Sequence, residues 1–169
     1  MIKKICVLVL TYVLFSQQVL AIGLTMSERQ LNSILNLRFP ITQTYMEYNL
    51  EASDPYLALY AATQSVAITA RINVINNGSR LIADATFKGQ IIFDKATNAL
   101  KVSNPLITKF EVIDNTFPKS EASINSIKNT VGQHLPISVL IDFNHISNEL
   151  FQFSPSSLRI VEEGLRVEF

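Results

Sequence analysis

The chain contains two histidines, His134 and His145, and one cysteine, Cys6. Imidazole is the commonest general base and a frequent metal ligand, so acid–base or metal chemistry would be sought first at these positions. His134 falls in the last turn of an expected helix, where a cation complements the helix dipole, a structural role. His145 follows Asn144 at the start of an expected short helix. Asp142, just upstream, offers it an ion pair or a shared metal. Two histidines without clustered carboxylates fall short of the three or four ligands that a metal site needs. No serine lies in a Gly-x-Ser-x-Gly context, and the five glycines form no phosphate loop. Asp94 and Asp114 flank expected strands and read as turn residues. No catalytic residue, metal site or cofactor is expected, and the chain is not read as an enzyme.

What the sequence offers instead is an apolar pattern, most regular in residues 65–113. Val66, Ile68, Ala70, Ile72 and Val74 occupy even positions, against Thr69, Arg71 and Asn73. After Asn76-Asn77-Gly78-Ser79 the alternation resumes on Leu81, Ala83, Ala85, Phe87, Ile91 and Phe93. After a second break at 94–98 it continues with Leu100, Val102, Leu106, Phe110 and Val112. Successive side chains point to opposite faces of a strand, so this is a three-strand antiparallel meander with one apolar face. Asn104-Pro105 places the last strand at an edge or on a bulge. The unbroken parity predicts that this strand bends without exchanging its faces.

The flanking segments must cover that face. Ile22, Leu24 and Met26 suit a short edge strand. Ser27 and Gln30 then sit at capping-box spacing ahead of Leu31, Ile34 and Leu35, a helix of about three turns stopped by Pro40. Residues 41–53 alternate as a single strand, with Met46, Tyr48, Leu50 and Ala52 on one face, and Asp54-Pro55 ends it. Residues 56–64 are open between strand, helical turn and covering loop. Ile124, Ile127, Val131 and Leu135 recur at helical spacing, predicting a main helix over 119–135 across the apolar face, with Gly132 at a close approach. Ile137, Val139 and Ile141 read as a strand, residues 144–152 as a short helix, and the alternation around Glu162-Glu163-Gly164 as a closing hairpin.

Lys3 and Lys4, the apolar run 5–15 and Val19-Leu20-Ala21 form a secretory signal pattern. The expected division is a cleavable signal over 1–21 and a single domain over 22–169. Cys6 lies within the signal, so the mature chain is expected to carry no thiol and to be exported, mildly acidic once Lys3 and Lys4 are removed. Lys plus Arg equal Asp plus Glu over the whole chain, and no basic stripe with interleaved aromatics appears, so nucleic acid is not an expected partner.

Three stretches carry a family likeness: Leu-Thr-Met-Ser-Glu-Arg-Gln-Leu-Asn from Leu24, Ile-Ile-Phe-Asp-Lys-Ala-Thr-Asn-Ala-Leu from Ile91, and Val-Glu-Glu-Gly-Leu-Arg-Val-Glu-Phe from Val161. The sequence resembles the YceB-like bacterial periplasmic lipoproteins, a family similar to tubular lipid-binding (TULIP) domains. The resemblance implies an α+β fold in which a curved antiparallel sheet wraps a long amphipathic helix, with an N-terminal helix and a C-terminal hairpin. A cystatin-like helix on a sheet is the alternative. The family's lipoproteins carry a cysteine at the cleavage site, whereas Val19-Leu20-Ala21-Ile22-Gly23 has none, so no covalent lipid anchor is expected.

The function implied is a periplasmic binding protein that holds a lipid, fatty-acyl or other hydrophobic ligand between sheet and helix. The expected groove lining takes Leu31, Ile34 and Leu35 from the first helix and Ile124, Ile127 and Val131 from the second. The sheet would supply Tyr48, Leu50, Val66, Ile68, Ile72, Phe87, Ile91, Phe93 and Phe110. The alternative is an envelope protein–protein interaction module with a filled core and no ligand, using an edge strand or Phe151 and Phe153.

Overall fold

The computed structural model describes residues 23–118, 121–134, 139–142 and 155–168. The signal pattern, the short helix expected at 144–152, His145, Phe151 and Phe153 lie outside them.

The first strand, β1 (Gly23–Met26), runs straight into helix α1 (Glu28–Asn36). Ser27 caps α1 reciprocally: its amide donates to Gln30 Oε1 (2.9 Å) and its hydroxyl accepts from the Gln30 amide (3.3 Å). Leu31 and Leu35, four residues apart, form the buried side of α1.

The segment expected as one strand is instead a hairpin. Strands β2 (Ile41–Tyr45) and β3 (Tyr48–Tyr60) pair antiparallel from Ile41↔Ala52 to Tyr45↔Tyr48, with Met46 and Glu47 as the two-residue loop. Met46 turns the chain at φ 52°, a conformation normally left to glycine or asparagine, so composition hides the turn.

Pairing with β2 covers only the first part of β3. Beyond it, α1 takes the place of a neighbouring strand. Asn32 donates to the Leu57 carbonyl (2.8 Å) and accepts from the Leu57 amide (2.7 Å), while the Leu59 amide donates to Glu28 Oε2 (2.9 Å). Buried backbone polar groups must be paired, and here helix side chains do it.

A 3₁₀ turn (Ala61–Thr63) and Gln64 in the left-handed region (φ 49°) lead to β4 (Ser65–Asn76). Asn77-Gly78, at φ 47° and 80°, makes the tight turn to β5 (Ser79–Asp94), and Asn98 (φ 47°) closes the turn to β6 (Ala99–Asn115). Helix α2 (Glu121–His134), β7 (Val139–Asp142) and the hairpin of β8 (Ser157–Val161) and β9 (Gly164–Glu168) complete the described chain. One sheet has the order β2-β3-β4-β5-β6-β7 and the other β1-β9-β8.

The expectation of a curved sheet wrapped around a long helix is overturned: the described residues are mostly antiparallel β in two sheets, with two short α-helices among them. The physical reason is that covering the inner face is divided among several elements. The small sheet contributes buried Met26, Ile160, Leu165 and Val167, α1 contributes Leu31 and Leu35, and β7 contributes Leu140 and Ile141. Helix α2 contributes Ile127 and Val131, with Ile124 half-buried. At 1.5 Å per residue α2 is about 20 Å long, and a stripe of two buried residues cannot cover six strands. It lies beside β6, where Gly132 approaches the Ile107 side chain so closely that a Cβ would sit 3.2 Å from Ile107 Cδ1.

Strand β6 also departs from its expected faces. Leu100 and Val102 pair with Phe93 and Ile91, but after Asn104 (φ 44°) and Pro105 the register shifts, so that Ile107 pairs with Phe87 and Leu106 with Lys88. Leu106 therefore points outward and Ile107 inward. The next shift, around Thr108, returns Phe110 to the inner face opposite Ala85.

Candidate functional site

The structure brings the expected lining residues together in one cluster. Leu31, Leu35, Leu50, Val66, Ile68, Ile72, Phe87, Ile127 and Val131 are buried, with exposures from 0 % at Val66, Ile72 and Val131 to 3 % at Leu31. A side chain lining a space that admits water or an acyl chain would present accessible surface to it. These present almost none, because they pack on one another. Ile34, Tyr48, Ile91, Phe93, Phe110 and Ile124 are partly buried around them. A single row, Leu57–Ile68–Phe87–Ile107, crosses four strands and carries the centre of this core.

The row one residue over faces the other way: Ala58, Ala67, Lys88 and Leu106, each opposite the next. It crosses an outer face that carries polar pairs together with exposed Ile75 and Ile92. Thr69 and Thr86 share a hydroxyl hydrogen bond (2.9 Å), Arg71 pairs with Asp84 (3.1 Å) and Lys109 with Glu111 (2.7 Å). Tyr56 and Tyr60 flank Ala58 on β3, and both are exposed. Lys88 Nζ lies 4.8 Å from the Tyr60 ring centroid, a cation–π contact, and Ala67 is buried beneath these larger side chains. Leu106 closes the strip at 70 % exposure.

Two register shifts of one kind place these apolar groups outside. Between Ser53 and Tyr56 the bulge at Asp54 (φ 49°) and Pro55 turns Leu57 and Leu59 inward and Tyr56, Ala58 and Tyr60 outward. Asn104-Pro105 does the same for Leu106. The strip was missed in the sequence for this reason. The signal that could have found it is an Asx-Pro pair inside an alternating run, since each such pair moves the parity by one.

Charge on the strip is tied down. The Tyr56 hydroxyl donates to Glu28 (3.1 Å), and this bond, reinforced by the carboxylate's charge, holds the phenol pKa above its ordinary value. Glu111 likewise raises the Lys109 ammonium, mainly through their direct hydrogen bond, and Asp84 raises the Arg71 guanidinium.

An open cleft of about 230 Å³ lies between β5 and the closing hairpin. Ile91, Leu158, Ile160 and Leu165 line it with Gln64, Gln90 and Arg159. The Gln64 side chain behaves there as a peptide group, donating to the Ile160 carbonyl (2.8 Å) and accepting from the Ile160 amide (2.9 Å).

Among the described residues no three His, Cys, Asp or Glu side chains are grouped to hold a metal ion, and no helix is long and apolar enough to cross a membrane. His134 is the last residue of α2. Asp94 and Asp114 are engaged by Lys101 (2.6 Å) and Arg80 (2.7 Å) beside their turns. No protein-family model matches the chain, and a search of curated proteins finds none that matches.

Proposed function

We propose that the chain is a non-catalytic interaction module of the bacterial envelope, exported through its N-terminal signal, that meets a protein partner with the outer strip Tyr56, Ala58, Tyr60, Ala67, Lys88 and Leu106. The observation that carries this reading is the inversion of accessibility. The inner apolar face is closed by side chains, while Tyr56, Tyr60 and Leu106 stand in water on the opposite face. Tyrosine supplies large contact area at low conformational cost, and half-buried Ala58 adds apolar surface between the two rings. Lys88 favours an acidic neighbour beside that surface. The test is site-specific photocrosslinking in intact cells, with the probe at Leu106 or Tyr60 and a control at Lys95 in the exposed β5–β6 turn. A discrete protein adduct at 106 and 60, absent at 95 and abolished by Lys88→Glu, is the expected result. Adducts of equal yield at all three positions would sink the reading.

The cleft beside Ile91 favours a second reading, a lipid or fatty-acyl ligand. Its lining mixes four apolar side chains with Gln64, Gln90 and Arg159, and the arginine would hold an anionic headgroup. At about 230 Å³ it is smaller than most ligand pockets and would take part of a chain. Organic extraction of purified protein followed by mass spectrometry separates the two readings. Stoichiometric lipid lost in Arg159→Glu supports the second, and none in wild type removes it.

A further inference from the structure

We propose that β2 is a self-association edge, and that two copies of the chain pair their β2 strands antiparallel about a twofold axis at Gln43. The inference does not depend on the outer strip, which lies towards the other end of β3. Among the described strands β2 has β3 as its one neighbour, and Thr42, Gln43 and Thr44 are exposed. In a hairpin with a two-residue loop the closing pair, Tyr45–Tyr48, exchanges both backbone hydrogen bonds, and so does every second pair behind it. The amides and carbonyls of Gln43 and Ile41 are therefore directed at β3. Those of Thr42 and Thr44 point away from it, into solvent.

An exposed edge of this kind is usually blunted by charge, proline, bulges or shortness. The other described edges follow that rule. Strand β6 carries Pro105 and repeated register shifts, β8 carries Arg159 at its centre, β1 and β7 are four residues each, and β7 ends in Asp142. Strand β2, Ile-Thr-Gln-Thr-Tyr, has no charge, no proline and an unbroken register.

The occupant that fits is a second copy. A twofold axis at Gln43 sets Thr42 of each copy against Thr44 of the other, so that all four outward backbone groups of each strand are satisfied reciprocally. No like charges meet at the centre. At the two ends, the turn with Met46, which is 79 % exposed, comes near the start of β2 in the other copy. The product is one continuous sheet through both molecules. A contact through five residues a side is smaller than a standard interface, so the dimer is a weak, concentration-dependent one.

Sedimentation velocity on the purified protein over a wide concentration series tests this. A reversible monomer–dimer equilibrium is expected. Thr44→Pro, which removes an outward amide and no bond to β3, weakens it at least about tenfold, while Thr44→Ala leaves it intact. In a Cys6→Ser background, Gln43→Cys places two thiols across the axis at a non-hydrogen-bonded pair and gives a disulfide-linked dimer on mild oxidation, whereas Lys95→Cys does not. This comparison decides the matter if Thr44→Pro does not fold. A protein monomeric at every concentration, one that stays monomeric but captures extended peptides, or a dimer in which Gln43→Cys links no better than Lys95→Cys overturns the proposal.

Discussion

Single side chains carry much of the connection between the parts of this molecule. Gln64 joins the 3₁₀ turn to β8 through both ends of its amide, in a partly buried setting. Gln64→Ala would leave the Ile160 amide and carbonyl without those partners, at a cost of about 1–3 kcal/mol, read as a lower denaturant midpoint. Asp94 gives a pH signature. Its hydrogen bond from Lys101, helped by Thr97 and the Ala96 amide, lowers its pKa to about 2. A carboxyl depressed in the folded state contributes stability above its unfolded pKa of about 3.9. That contribution is lost as pH falls from there through about 2. Titration of Asp94 by NMR should place it near 2 in wild type and higher in Lys101→Met, still below the ordinary carboxylate range because Thr97 and the Ala96 amide remain. The variant's unfolding midpoint should also depend less on pH between those limits.

Strands and helices were legible in proportion to how far local pattern ruled them. The capping box at Ser27, strands β4 and β5 and the Asn77-Gly78 turn follow from spacing alone, because each is fixed by neighbours in sequence. The β2–β3 hairpin was hidden because Met46 occupies a turn position that usually announces itself as glycine. The outer strip was hidden because Asp54-Pro55 and Asn104-Pro105 move the parity without interrupting the strand. The division of the inner face among two helices, β7 and a second sheet could not be read, since it depends on contacts remote in sequence. Crossing strands set a further constraint. Opposite the Asn104-Pro105 bulge, a Cβ on Gly89 would lie 2.5 Å from the Ser103 carbonyl oxygen and 2.6 Å from Val102 Cγ1. Gly89→Ala must therefore push β6 from β5, and a loss of about 1–3 kcal/mol in chemical denaturation is expected. An unchanged midpoint would show that the two strands separate freely there.

At the scale of the molecule, both sheets feed one hydrophobic core, with Met26, Ile160, Leu165 and Val167 packed into the cluster that holds Val66, Ile72 and Leu100. Unfolding should accordingly be a single transition. Tyrosine fluorescence, usable because the chain has no tryptophan, and far-UV circular dichroism should give coincident curves. Leu165→Ala, in the small sheet, should shift both together by about 2–5 kcal/mol. Two separated transitions would mean that the hairpin melts on its own.

The order of the small sheet bears on how the polypeptide is made. Strand β9 follows every other described strand in the chain, yet it sits between β1 and β8. The ribosome thus delivers the keystone after all the other described strands, on the order of ten seconds after Gly23 at common elongation speeds. Until then β1 has no partner among the described strands, so the small sheet closes only after all six strands of the large one have been made.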